Sequence, residues 1–132
     1  MSLNSDGKPV VLIADDEQLN RELVRTFLQN AGYSVIETTN GNDALEQARV
    51  HQPALAMLDV RMHGMSGYDV CRALKSDPAT QKIKVVIISA QNRPSDQAEA
   101  RAVGADDYLY KLLDWGVIMR RIHELVTSSD NA

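Results

Sequence analysis

Hydrophobic residues along this chain alternate between short unbroken runs and stripes spaced three to four apart. Val10-Val11-Leu12-Ile13-Ala14 is an unbroken, β-branched run, as a strand covered on both faces requires. Leu19, Leu23, Val24, Phe27, Leu28 and Ala31 then recur at helical spacing, and Gly32 can end that helix. Ser34 to Thr38 predicts a second strand, and Asn40 caps a second helix through Ala44, Leu45 and Ala48 that stops before Pro53. The third strand, Leu55 to Asp59, ends abruptly in a carboxylate and is followed by a loop with Gly64 and Gly67. Ser66 with Asp69 resembles a capping box, opening a third helix that buries Val70 and Leu74 and gives way at Asp77-Pro78. Lys84 to Ser89 is the clearest strand. From about Pro94 to Val103 only Ala98, Ala102 and Val103 stand out as apolar candidates, so the fourth helix should pack lightly, move most and stop at Gly104. Tyr108-Leu109-Tyr110 predicts a fifth strand, and Trp115, Ile118, Met119, Ile122 and Val126 form the stripe of a last helix capped by Asp114.

Apolar strands separated by helices imply parallel strands joined by right-handed crossovers, hence a single doubly wound α/β sheet with helices on both faces. At 132 residues the chain is long enough for one core and too short for two. The domain is expected over 9–126, with 1–8 a disordered tail or tag remnant and 127–132 a tail or the start of a linker.

Composition narrows the function classes. A net charge of -4 opposes direct binding to a phosphate backbone. Cys71 is the only cysteine, so neither an internal disulfide nor a cysteine-built metal cage is available, which fits a reducing cytoplasm. Neither a membrane-length apolar run nor a secretion leader is found, so a cytoplasmic location without a membrane partner is expected.

Ligands in such sheets gather at the carboxyl ends of the strands. Asp15 and Asp16 follow the first strand, Asp59 closes the third, Ser89 closes the fourth and Lys111 follows the fifth. Taken singly, most have plain explanations. Asp15, Asp16 and Glu17 precede a helix, where carboxylates cap amides, and Ser89 and Lys111 could be a strand-end hydroxyl and a solvated charge. Asp59 resists that treatment, because no helix starts until about Ser66 and a buried unpaired carboxylate costs several kcal/mol. Two carboxylates about 4 Å apart repel by about 4 kcal/mol at an effective dielectric near 20, so the cluster needs a cation. All-oxygen ligands favour a hard ion such as Mg²⁺, which uses one or two carboxylates together with a substrate phosphate. A carboxylate can accept a phosphoryl group, and Lys111 and Ser89 would then meet its oxygens.

Four segments in order carry a resemblance: Val11-Leu12-Ile13-Ala14-Asp15-Asp16, Leu58 through Tyr68, Ile87-Ile88-Ser89-Ala90, and Gly104 through Lys111. Together they resemble the two-component response-regulator receiver domain, from about Pro9 to Val126. The resemblance implies a flavodoxin-like strand order 2-1-3-4-5 and Asp59 as acceptor of phosphate from a histidine kinase or phosphotransfer protein. It further implies Mg²⁺ held by Asp15, Asp16, Asp59 and the Arg61 backbone carbonyl, with Ser89 and Tyr108 as switch residues. In the family the hydroxyl moves toward the phosphoryl group and the aromatic ring turns inward, remodelling the surface of the fourth helix, fifth strand and fifth helix. Such a domain is a signalling unit that promotes its own phosphorylation and dephosphorylation, linked to an output domain or a downstream protein.

Two departures stand out. The family usually has proline after the lysine, commonly in a cis bond; here it is Leu112, so a trans bond is expected and the reach of Lys111 is open to question. His63 replaces a usual proline in the loop after Asp59 and is read as a solvated loop residue; His51 and His123 need no special role. A haloacid-dehalogenase-type phosphohydrolase would want a second aspartate where Arg61 stands, and a flavodoxin would find its phosphate repelled by Asp15-Asp16-Glu17. The serious alternative is a degenerate receiver acting as a phosphate-independent interaction module.

Overall fold

The computed structural model describes residues 3–128, and the continuous apolar runs become five parallel strands. They are β1 (Val10–Ala14), β2 (Ser34–Thr38), β3 (Leu55–Asp59), β4 (Lys84–Ser89) and β5 (Asp107–Tyr110), ordered β2-β1-β3-β4-β5 as the resemblance implied. Between and after them run α1 (Gln18–Asn30), α2 (Gly41–His51), α3 (Gly67–Ser76), α4 (Pro94–Ala102) and α5 (Trp115–Thr127).

Alternating side chains of each strand point to opposite faces, which explains why the runs are apolar throughout. Leu12, Ala56, Leu58, Val85 and Ile87 pack beneath Ala44, Ala48, Val70, Leu74, Ala100 and Val103 of the α2, α3 and α4 side. Val11, Ile13, Leu55, Met57, Val86, Ile88 and Leu109 pack beneath Val24, Leu28, Ile118, Ile122 and Val126 of α1 and α5. Phe27 and Trp115 stack at 4.8 Å between ring centres and join those two helices edge to edge.

The expected caps form. Asn40 accepts from the Asp43 amide at 2.8 Å, Ser66 and Asp69 close a capping box, and Asp114 accepts from the Gly116 amide at 2.7 Å. Asn4 accepts from the Asp6 and Lys8 amides in a turn beside a Leu3–Pro9 bridge, within the segment expected as a tail. Helix α5 runs through Thr127, and the expected tail residues 129–132, with Met1 and Ser2, lie outside the described residues.

Two helix stripes differ from expectation. On α1 only Val24 and Leu28 are buried, whereas Leu19 and Leu23 are 77% and 45% exposed. On α4 the buried residues are Ala100 and the adjoining Val103, while Ala98 and Ala102 face solvent. Spacing defines a stripe, but the rotation of the helix on the sheet selects which edge of it is covered.

Truncation should separate these positions. Leu74→Ala is expected to cost about 2 to 5 kcal/mol, and Leu19→Ala no more than about 0.5 kcal/mol, by urea denaturation.

Candidate functional site

Strand register places the polar residues. Ala14 pairs with Leu58, Asp59 with Ile88 and Ser89 with Tyr110, so β1, β3, β4 and β5 end almost flush and the residues that follow share one edge. Asp15, Asp16 and Asp59 each bring a carboxylate oxygen to within 4.8 Å of the others; Asp15 and Asp59 are buried and Asp16 is exposed. Lys111 reaches the same place. Its Nζ donates to Asp59 Oδ2 at 2.7 Å and lies 3.6 Å from Asp15 Oδ2. Its amide donates to the Ser89 carbonyl at 2.8 Å, fixing the start of the β5–α5 loop. No peptide bond among the described residues is cis, so the Lys111–Leu112 bond is trans as expected, and the missing proline does not cost Lys111 its reach.

Each carboxylate is oriented by its own loop. Asp15 Oδ1 accepts from the Glu17 amide at 2.9 Å, its Oδ2 accepts from the Asn20 side chain, and Arg21 Nη1 donates to the Asp15 carbonyl at 2.9 Å. Asp59 Oδ1 accepts from the Arg61 amide at 3.2 Å. Sequence reasoning missed Asn20 and Arg21. Their only signal was a polar first turn on a helix that begins beside two aspartates.

Burial, and then the charge of Asp15, push the Asp59 carboxyl above its ordinary value, against the bond and charge of Lys111 and the Arg61 amide. Burial depresses Lys111, but the bond and charge of Asp59 outweigh it, and with Asp15 and Glu17 the ammonium is held above its ordinary value. Lys111 thus pairs with Asp59 and Asp15 but not with Asp16. The donor set is all oxygen, is negative in excess, and is open to water at Asp16, which suits a hard, partly hydrated ion such as Mg²⁺.

Ser89 is buried, and its Oγ accepts from the Gln91 amide at 3.0 Å. The Tyr108 hydroxyl donates to the Gln91 carbonyl and is raised above its ordinary value by burial. The two residues thus meet at one residue of the β4–α4 loop. His63 is exposed on the β3–α3 loop, His51 is exposed at the end of α2, and His123 Nδ1 lies 3.1 Å from the Tyr33 hydroxyl, remote in sequence from these residues.

The sequence pattern of the response regulator receiver domain matches residues 11–123. The chain belongs to the response-regulator receiver family. Curated relatives include the response regulator PleD of Caulobacter vibrioides, 36% identical over 87% of this chain and 25% of PleD. The polar-differentiation response regulator DivK of Brucella anthropi is 35% identical over 76% of this chain and 82% of DivK. Among solved structures, the signal receiver domain of a signal transduction histidine kinase from Syntrophus aciditrophicus superposes with a TM-score of 0.86. That domain is 27% identical, and the match covers 94% of each chain. This receiver domain spans about a quarter of PleD's length. Among the described residues no helix is long and apolar enough to cross a membrane.

The raised Asp59 carboxyl would give a pH dependence to any cation held among these carboxylates. Its proton persists to higher pH than that of a free carboxylate and competes with the cation, so affinity is full above the raised value and lost as pH falls through it. Calorimetric titration with Mg²⁺ from about pH 8 down to about pH 5 should show affinity weakening, and Asp16→Asn should weaken it at every pH.

Proposed function

We propose that this receiver domain is the phosphoacceptor of a two-component relay. It takes a phosphoryl group from the phosphohistidine of a histidine kinase or phosphotransfer protein onto Asp59. The observation that carries this reading is the convergence of three carboxylates and one lysine at the flush end of the sheet, with Asp59 held at Oδ1 by the Arg61 amide and at Oδ2 by Lys111.

Asp15, Asp16, Asp59 and the Arg61 carbonyl are the residues that would hold Mg²⁺. When bound, the ion supplies positive charge that offsets the carboxylate repulsion and neutralises the transferred group. A carboxylate oxygen of Asp59 attacks phosphorus in line; the new O–P bond forms as the N–P bond of the donor imidazole breaks, and the imidazole keeps the electron pair. Lys111 exchanges part of its contact with Asp59 for a phosphoryl oxygen. The Ser89 hydroxyl gives up the Gln91 amide to donate to another. Because Tyr108 holds the carbonyl of that same Gln91, the movement of Ser89 is felt by the aromatic ring and then by the surface of α4, β5 and α5. The donor has an apolar rim to rest on: Leu19, at the start of α1, and Leu112, beside Lys111, are each 77% exposed.

The reading places the protein in the cytoplasm, as a signalling domain that accepts and releases its own phosphate, without direct contact to nucleic acid or membrane. An output domain or a downstream protein would read the switched surface. The pairing of Lys111 with Asp59 across a trans 111–112 bond supports a working acceptor over a phosphate-independent interaction module.

Incubation with a small phosphodonor and Mg²⁺ should add one acid-labile phosphate per chain by intact-mass spectrometry. Asp59→Ala should remove it, and Lys111→Ala should slow its appearance by about tenfold or more. Labelling that persists in Asp59→Ala would overturn the assignment.

A further inference from the structure

The loop from Val60 to Ser66 carries the Arg61 carbonyl between the acceptor and α3. Its ends are tied. The Gly67 amide donates to the Val60 carbonyl at 3.1 Å, and a Cβ on Gly67 would lie 2.9 Å from the Asp59 carbonyl carbon, so α3 starts directly against the acceptor's backbone. Just before the α3 cap, the loop crosses the start of α2. There Gly41 is buried, and a Cβ added to it would overlap the Met65 carbonyl oxygen and lie 2.7 Å from the Met65 Cβ. Gly41 has no positive φ, so space alone demands glycine at this position. Next to this contact, Gly64 adopts a φ of 73°, and its Cβ position lies 3.3 Å from the Asn42 side chain.

We propose that Gly41 is a positioning residue for the metal-bearing loop: its missing side chain lets α2 seat on Met65, and that seat sets where the Arg61 carbonyl lies. The inference rests on the Mg²⁺ reading above. An alanine at 41 can be relieved either by α2 lifting or by the loop moving out. Helix α2 is fixed by fully buried Ala44 and Ala48 and by the Asn40 cap, whereas the loop is bound at its ends and packed through half-buried Met62 and Met65. The loop therefore yields. Mg²⁺ demands near-ideal octahedral geometry, so a displaced carbonyl is felt as lost affinity rather than only as lost stability.

Calorimetric titration with MgCl₂ tests this on three versions of the 132-residue chain. Gly41→Ala should bind about tenfold or more weakly than wild type, the scale on which outer-sphere positioning groups act. Gly104→Ala is the control for stability: it strains a φ of 90° against Lys75 at the α4–β5 turn, so it should lower the melting temperature with Mg²⁺ affinity unchanged. Unchanged affinity in folded Gly41→Ala overturns the proposal, while a wild type that fails to bind Mg²⁺ overturns the metal reading and this inference with it. Hydrogen exchange on the wild type decides the matter if Gly41→Ala does not fold. Adding Mg²⁺ should slow amides 42–45 together with 61–66, because coupling through a contact is reciprocal. A response confined to the loop overturns it.

Discussion

Mutual repulsion of three carboxylates at one end of a parallel sheet is the constraint to which the rest of this molecule answers. Neighbouring strands lie about 4.8 Å apart, so two strands that end in register and both continue into aspartate bring like charges together. Register pairing of Ala14 with Leu58 does this for Asp15 and Asp59. At that spacing each pair repels by about 3 to 4 kcal/mol at an effective dielectric near 20. Lys111 offsets part of it. The raised proton affinity of Asp59 shows that burial and Asp15 outweigh that help.

A site that opposes folding needs a scaffold that does not relax to relieve it. The unbroken apolar runs of β1, β3 and β4 provide this, since every strand side chain from Val11 to Ala14 and from Leu55 to Leu58 is buried under helices on one face or the other. Relaxation by loop movement is blocked as well. Asn20 and Arg21 hold the β1–α1 turn around Asp15, and the glycines at 41 and 67 let two helices close on the loop that follows Asp59. The carboxylates are thus kept near one another by packing at sites where a side chain would not fit.

What could be read from the sequence was the order of elements and the edge of the sheet where chemistry collects. Strand runs are unambiguous when both faces are buried, and topology then delivers Asp15, Asp59, Ser89 and Lys111 to one edge without any pairwise information. Helix phase was less legible. Leu19 and Leu23 belong to the same stripe as Val24 and Leu28, yet only the second pair meets the sheet. Ala100 is buried where Ala98 and Ala102 were expected, because nearly featureless alanine and polar positions leave the rotation of α4 undetermined. Asn20 and Gly41 could not be singled out, since their roles arise from distance across the fold and carry no pattern along it.

The same magnitudes explain why one phosphoryl group could reshape the far surface. Helix α4 contributes only Ala100 to the core, with Val103 just beyond it, and its beginning is held by polar ties. The Tyr68 hydroxyl, its acidity pushed out to about 12 by burial, donates to the Asp96 carbonyl at 3.2 Å, and the Tyr108 hydroxyl holds Gln91. Ties of this kind are each worth about 1 kcal/mol net, whereas a buried leucine in β3 or α3 is worth about 2 to 5 kcal/mol. Charge-assisted bonds from Lys111 and Ser89 to a phosphoryl group, about 1.5 to 3 kcal/mol each, would therefore outweigh the two tyrosine ties and fall short of what fixes the sheet. On the phosphoacceptor reading, rearrangement would be confined to the β4–α4–β5 edge by that difference in scale.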